Sequence, residues 1–322
     1  MKKRTYKILC ALLCFLCIFL LLSGCVDPAG SEGANNKIKI VCTIFPQYDF
    51  CRNIVGDYAD VILLMDRAGD LHSYEPSAQD MMQLSDCDLF IGVGGASDQW
   101  VDAALKASEN SAVTRIDMMD HCVLLKENDG NILQQHDHPQ QDHHDDEYDE
   151  HVWTSLKNAK QIVAALAEAI SLADEEHRTV YEQNASTYIT ELELLDAQYE
   201  ETFHQVQNRF VVFADRFPFL YLMNDYGLTW CAAFSGCSGE SEATFQTMVA
   251  LTETVLEKNL PAVFVIEYSD EALADAVCRV TGAEKKMLYS CQCITSTELK
   301  NGVSYLEKMR ENLTVLKEVL EG

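Results

Sequence analysis

A long helical pattern divides this chain and limits the folds it can adopt. Asp174 caps a stretch in which apolar side chains recur every three or four residues as far as Asn208. They are Tyr181, Tyr188, Leu192, Leu195, Tyr199, Phe203 and Val206. This spacing places them on one face of a helix about 50 Å long. A helix of that length can connect two folded lobes rigidly.

Strand patterns alternate with helix patterns on both sides of the long helix. Before it, the predicted strands are 37–45, 59–64, 88–93 and 114–118, and the predicted helices are 47–55, 77–84, 100–107 and 156–172. After it, the predicted strands are 210–213, 262–266 and 286–289, and the predicted helices are 219–226, 241–258, 271–281 and 302–320. The alternation predicts an α/β fold of two lobes. Each lobe is a mostly parallel sheet flanked by helices, and the cleft between the lobes is the expected ligand site.

The start of the chain predicts export and lipid anchoring. Basic residues at positions 2–4 and 7 precede an apolar run, 8–22, that is shorter than the roughly 18 residues a membrane span needs. The sequence Leu-Ser-Gly-Cys at 22–25 resembles a bacterial lipobox, so we expect Cys25 to carry lipid such as palmitate. The protein would then lie outside the cytoplasm, anchored to the cell membrane.

Composition and pattern together predict five segments. They are a signal peptide (1–24), a flexible tether (25–36), an N-terminal α/β lobe (37–155) that includes an acidic His-rich loop (128–150), a helical segment (156–208) and a C-terminal α/β lobe (209–322). The formal net charge is −27, and removing the basic signal peptide makes it four units more negative. Such a surface attracts cations and argues against nucleic-acid binding.

Histidines are concentrated just before the helical segment. His136, His138, His143, His144 and His151 lie among carboxylates. Imidazole nitrogen and carboxylate oxygen suit zinc, manganese and related divalent ions. The alternative is a solvated acidic loop whose histidines are incidental. We predict a metal-collecting loop, with His136, His138, His143 and His144 as auxiliary sites.

Cysteines after position 25 give no zinc-knuckle pattern. Nine remain, and no two of them are spaced as Cys-x-x-Cys. An exported protein can form disulfides, and Cys237 could pair with Cys291 if the loops of the second lobe meet. The odd number predicts at least one free thiol if all pairing is internal.

Several segments resemble the solute-binding lipoproteins of bacterial zinc and manganese ABC transporters. The motifs are Leu-His-Ser-Tyr-Glu-Pro-Ser at 71–77, Asp-Glu-His-Val-Trp at 149–153, the long helix, and Tyr-Gly-Leu at 226–228. The resemblance implies that His72 and His151 are metal ligands. It also implies a zinc-branch protein, because the His-rich loop is typical of that branch.

Two positions depart from the family's pattern. The family's third ligand, His or Glu, aligns with Arg216, and arginine cannot bind a metal. Asp215 could supply an oxygen instead, or could form an ion pair with Arg216. The family's fourth ligand is an aspartate, but the region of Tyr289 has no carboxylate and offers only Cys291 and Cys293. Glu242 and Glu267 resemble acidic positions of the family, and we take Glu242, with Asp215, as a candidate metal ligand. The alternative is that each glutamate is a carboxylate at a helix N-terminus or one that supports a ligand.

The expected function is metal capture and delivery, without catalysis. The chain has no His-Glu-x-x-His helix, no Gly-x-Ser-x-Gly elbow and no phosphate-binding loop, which argues against an enzyme. We expect a monomeric receptor for Zn²⁺, with Mn²⁺ as the alternative, that delivers the ion to an ABC permease and its cytoplasmic ATPase. A surface adhesin or metal-sequestering lipoprotein without a transport role is the other alternative.

Overall fold

A computed structural model describes residues 37–321 apart from 68, 70, 128–130, 134–147 and 237–242. Four parallel strands form the first sheet. They are β1 (Lys39–Cys42), β2 (Asp60–Leu63), β3 (Leu89–Gly92) and β4 (Thr114–Asp117). Their order is β2-β1-β3-β4. Because the order reverses between β1 and β3, a crevice opens at the carboxyl ends of these strands.

The second sheet repeats this arrangement. Its strands are β5 (Phe210–Phe217), β6 (Thr229–Ser235), β7 (Ala262–Ile266) and β8 (Glu284–Leu288). They are also parallel, in the order β6-β5-β7-β8. Loops at the carboxyl ends of the two sheets are therefore the expected ligand-binding elements.

Ten α-helices cover the sheets in the described part of the chain. They are α1 (Phe45–Val55), α2 (Ala78–Leu84), α3 (Val101–Ala107), α4 (Leu156–Ala173), α5 (Arg178–Gln205), α6 (Leu220–Tyr226), α7 (Phe245–Glu257), α8 (Ala272–Thr281), α9 (Ser296–Lys300) and α10 (Tyr305–Glu321). None of the described helices is long and apolar enough to cross a membrane.

The long helix α5 contacts both lobes through its predicted apolar face. Its buried side chains include Tyr181, Tyr188, Leu192, Leu195, Tyr199 and Phe203. At one end it packs on α4 and α1, and Tyr188 donates a hydrogen bond to Asp49 of α1 at 2.9 Å. Further along, Tyr199 donates to the carbonyl of Met309 in α10 at 2.6 Å. The predicted fold class, two parallel-sheet lobes with a long connecting helix, is confirmed.

Several predicted elements begin or end elsewhere. Helix α1 starts at Phe45, since Pro46 fits the first helical turn, where no N–H bond is needed. Helix α7 starts at Phe245 and not at 241, because the Thr244 hydroxyl caps it by accepting from the Thr247 N–H. The sequence pattern also misses β6 and α9. The alanines of β6 have low strand propensity, although the strand is buried.

Strand β5 is four residues longer than predicted. Asp215 and Arg216 therefore lie within the strand and not after it, and the pairing with β6 is irregular between Phe213 and Arg216. A bulge of this kind turns side chains away from the regular alternation.

The described cysteines are all free thiols, including Cys291. Cys237, which could pair with Cys291 if the second-lobe loops met, lies outside the described residues. Burial raises the pKa of Cys291 well above its ordinary value and that of Cys293 to about 12. Both side chains consequently behave as protonated, apolar packing groups at neutral pH.

Replacing Asp49 with Asn should reduce the pH dependence of stability. Burial raises the pKa of Asp49 to about 6, above its value of 3.8 in a model peptide. The folded protein therefore holds this proton more tightly, and the stabilisation present below about pH 4 is lost as the pH rises through 6. A shift of about two units corresponds to roughly 2–3 kcal/mol. The difference in unfolding free energy between wild type and D49N should fall by that amount from pH 4 to pH 7. Urea titrations at both pH values measure it, and a constant difference would contradict this prediction.

Candidate metal centre

The structure brings His72 and His151 together. His72 lies in a 3-10 turn, Leu71–Ser73, that follows β2, and His151 immediately precedes another, Val152–Thr154. Their ring centroids are 5.6 Å apart and their planes meet at 62°. Two Zn–N bonds of about 2.0 Å at a tetrahedral angle require centroids roughly 5 Å apart. The separation of the two imidazoles is therefore close to what a shared zinc ion requires.

Asp149 fixes the orientation of His151. Its Oδ1 accepts a hydrogen bond from the His151 backbone N–H at 2.8 Å and lies 3.2 Å from Nδ1 of the ring. The ring is fully buried, and its Nε2 makes no hydrogen bond within the described residues. A carboxylate on one ring nitrogen with the other nitrogen left for a ligand is the usual arrangement of metal-binding histidines.

The charge around His151 favours a cation. Burial lowers the pKa of His151, but Asp149, through its charge and its hydrogen bond, together with Glu150 and Glu127, raises the pKa by more, so the net shift is upward. The same negative charges that stabilise an imidazolium also stabilise a metal ion bound to the neutral ring. The site is therefore electrostatically suited to a divalent cation.

Trp153 anchors this motif to the second lobe. The indole is completely buried, and its Nε1 donates to the carbonyl of Ser290, just after β8, at 2.8 Å. In return, the Tyr305 hydroxyl donates to the carbonyl of Trp153 at 2.6 Å. The Tyr221 hydroxyl similarly donates to the carbonyl of Asp149 at 2.7 Å. Second-lobe groups therefore hold the loop that carries His151.

A cavity of about 270 Å³ lies at the carboxyl ends of the second-sheet strands, next to this motif. It is lined by Gly69, Arg216, Pro218, Gly236, Ile266, Glu267, Tyr268, Ser290, Gln292 and Cys293. Gly69 comes from the loop that leads to His72. Gly236 approaches so closely that an added Cβ would lie 2.8 Å from Cε1 of His151. Gly236 therefore lies between the cavity and the His151 ring, and neither histidine is among the residues that line the cavity.

Comparison with known proteins agrees with this geometry. A family model described as "Zinc-uptake complex component A periplasmic" matches residues 40–319. The chain belongs to this family. The resemblance inferred from the sequence motifs is thus confirmed.

Individual members of the family align along nearly the whole chain. The zinc-binding lipoprotein AdcA of Streptococcus pneumoniae is 31% identical over 96% of this chain, which spans only 60% of AdcA. The high-affinity zinc uptake protein ZnuA of Bacillus subtilis is 26% identical over 94% of each chain. The crystal structure of the Zn(II)-bound ZnuA-like domain of S. pneumoniae AdcA has a TM-score of 0.73 at 28% identity, covering 89% of this chain and all of that domain.

Asp215, proposed from the sequence as an oxygen ligand, is held within the second sheet. Its carboxylate accepts from the backbone N–H groups of Arg216 at 2.8 Å and Ile266 at 3.2 Å. Burial raises its pKa. Among the described residues, no group of three His, Cys, Asp or Glu side chains is arranged to hold a metal. Asp215 is therefore not brought into a common site with the two histidines.

Glu267 and Cys293 also have hydrogen-bond partners within the protein. Both oxygens of Glu267 accept from Ser290, one from the backbone N–H and one from the hydroxyl, each at 2.7 Å. Cys293 directs its thiol to the carbonyl of Gly69 at 3.5 Å. Sequence reasoning did not single out Ser290 or Gly236. The spacing Asp-x-His at 149–151 was the available signal for the role of Asp149.

The remaining sequence predictions concern residues that the structure does not describe. They are Glu242, the loop histidines His136, His138, His143 and His144, and the lipidation site Cys25. The ends of the His-rich loop are described. Lys126 pairs with Tyr148 in an antiparallel bridge, so the loop leaves and returns at one point close to His151.

Substituting Gly236 with Ala should displace His151 and destabilise the fold. The added methyl would lie 2.8 Å from both His151 Cε1 and the Phe217 carbonyl oxygen. Overpacking of this kind costs about 1–3 kcal/mol. Gly69 is the matched control, because a Cβ there meets its nearest atoms at 3.8 Å. Chemical denaturation should show a loss for G236A and little change for G69A; equal stabilities would contradict this account.

Proposed function

We propose that this chain is an extracytoplasmic receptor that binds zinc with high affinity and delivers it to an ABC importer. The observation that carries the proposal is the pair of half-buried His72 and fully buried His151, with Asp149 hydrogen bonded to the His151 ring. Membership of a zinc-uptake family and similarity to zinc-binding AdcA and ZnuA support it. The chain spans only about 60% of the length of AdcA. Both the zinc cargo and the ABC importer are therefore proposed for this chain.

The receptor works by binding and release, with no chemical step. His72 and His151 supply neutral nitrogen ligands, which suit zinc. Both histidines lie in or beside turns of the first lobe, and second-lobe groups hold the loop that carries His151, so a small movement of the second lobe would shift His151 and weaken the site. An ABC permease would exploit that movement to take the ion, and its cytoplasmic ATPase would drive transport.

Two predicted segments complete the proposed receptor. Lipid on Cys25 would tether a monomer to the outer face of the cell membrane through residues 25–36. The loop histidines His136, His138, His143 and His144 would bind zinc weakly and raise its concentration beside His151. The Lys126–Tyr148 bridge supports this role, because it places both ends of the loop near the site.

Alanine at His72 or His151 should remove tight zinc binding while leaving the fold intact. Each substitution removes one of two imidazole ligands, so we expect the affinity to fall by at least about 100-fold, whereas D149N, which only disturbs the orientation of the ring, should cost about 10- to 100-fold. His204, exposed on α5, provides the control H204A. Calorimetric titration of the metal-stripped protein with zinc, in competition with manganese, measures these affinities.

The same titration separates the loop from the tight site. Deleting 134–147 should reduce the number of zinc ions bound and spare the one tight site. Wild-type affinity in the H72A/H151A double variant would refute the proposed receptor site. Preference for manganese over zinc would refute the assignment of the cargo.

A further inference from the structure

The second lobe holds the loop that leads from β2 to His72. The carbonyl of Asp66 in this loop accepts a hydrogen bond from the Ser296 hydroxyl at 3.0 Å. The carbonyl of Gly69 accepts from the Cys293 thiol at 3.5 Å. Ser296 is the first residue of α9, and Cys293 lies in the connection from β8 to that helix. The position of the His72 turn therefore depends on two second-lobe side chains.

The same connection also holds the loop that carries the other histidine. This β8–α9 loop comprises residues 290–296. At its start, the Ser290 carbonyl accepts from the Trp153 indole at 2.8 Å. In its middle, the Gln292 carbonyl accepts from the backbone N–H of Phe45, where α1 begins, at 3.2 Å. One short segment of the second lobe is thus bonded to the first lobe at four points, and both histidine-bearing loops are among its partners.

The β8–α9 loop is itself fixed to the second lobe. The Asn312 side chain of α10 accepts from the N–H of Tyr289 at 2.7 Å and donates to its carbonyl at 2.8 Å. Glu267, just after β7, accepts two hydrogen bonds of 2.7 Å from Ser290. At the other end of the loop, the Thr295 hydroxyl caps α9. A displacement of the second lobe therefore carries the whole loop with it.

The backbone at this point is also strained. Cys291 in the loop has a φ of 60°, and Tyr268, which follows Glu267, has a φ of 62°. Both values lie in the left-handed region, which is sterically unfavourable for residues with a Cβ. Strained residues of this kind cluster in ligand clamps and in segments that switch between two arrangements. The loop is therefore suited to a change of position as well as to holding its partners.

We propose that the β8–α9 loop is a clasp that holds both zinc-binding histidines, and that Ser296 and Cys293 are positioning residues for His72. The proposal rests on the proposed function, because His72 and His151 bind the zinc in both. The two side chains act through the backbone carbonyls that they hold. One movement of the clasp disturbs both imidazole ligands at once, and the ion then leaves in a single step.

The test measures the rates of zinc binding and release. The full mature chain is loaded with one equivalent of zinc, and an excess of a fluorescent chelator captures the released ion in a stopped-flow experiment. S296A/C293A removes both side-chain donors. We expect its dissociation rate to rise about fivefold or more and its association rate to change by less than about twofold, because each net hydrogen bond changes an equilibrium by about two- to tenfold. S296T and C293S keep a donor and should release zinc at the wild-type rate.

A second readout locates the effect at His72. In metal-stripped protein labelled with ¹⁵N-histidine, S296A/C293A should shift the His72 ring signals, which H72A assigns by their loss. Urea titration measures the stability of each variant separately. S296A alone changes only an exposed side chain, so it keeps the fold and should raise the dissociation rate about threefold.

T297A is the matched control. Thr297 is the next residue of α9 and is also exposed, but its hydroxyl makes no hydrogen bond to the first lobe in the described part of the chain. This variant should release zinc at the wild-type rate. Unchanged zinc release in both S296A and S296A/C293A would overturn the clasp and leave the zinc receptor intact, whether or not stability falls. Absence of tight zinc binding in the wild type would instead overturn the receptor, and the clasp with it.

Discussion

The buried hydrogen bond from Trp153 to Ser290 joins the two halves of this molecule at its functional site. Trp153 follows His151 by two residues, and Ser290 follows the last strand of the second sheet. The bond fixes a first-lobe histidine against the second lobe, and leaving a buried indole N–H without a partner would cost about 1–3 kcal/mol. Ser290 is held in turn by Glu267. The position of His151 therefore depends on residues from both lobes.

The fold could be predicted largely because its central strands are apolar on both faces. Strand β7, Ala262–Ile266, is buried throughout and was predicted with its observed ends. Strand β8 begins two residues earlier than predicted, since its charged start is tolerated at a sheet edge, where Lys285 and Lys286 pair with nearby acids. The helix and strand ends that were predicted wrongly depend on helix caps and on positions at the edge of a sheet. Hydrophobic periodicity alone does not reveal these features.

The candidate site could be predicted only in its first-lobe half. His72 and His151 each lie in or beside a short turn whose residues are consecutive in the chain. Their local geometry therefore follows from a short stretch of sequence. The second-lobe half depends on long-range packing. Near the irregular pairing in β5, Asp215 accepts hydrogen bonds from backbone N–H groups whereas Arg216 lines the cavity. The Glu267 carboxylate accepts two hydrogen bonds from Ser290. No local pattern contains that information.

The central claim is that His72 and His151 together hold the zinc ion. The most direct measurement is the zinc K-edge X-ray absorption spectrum of the chain lacking 134–147, loaded with one equivalent of zinc. We expect two imidazole nitrogens at about 2.0 Å, with oxygen atoms completing the coordination. Sulfur scattering at about 2.3 Å, or a shell of oxygen atoms without imidazole, would contradict it.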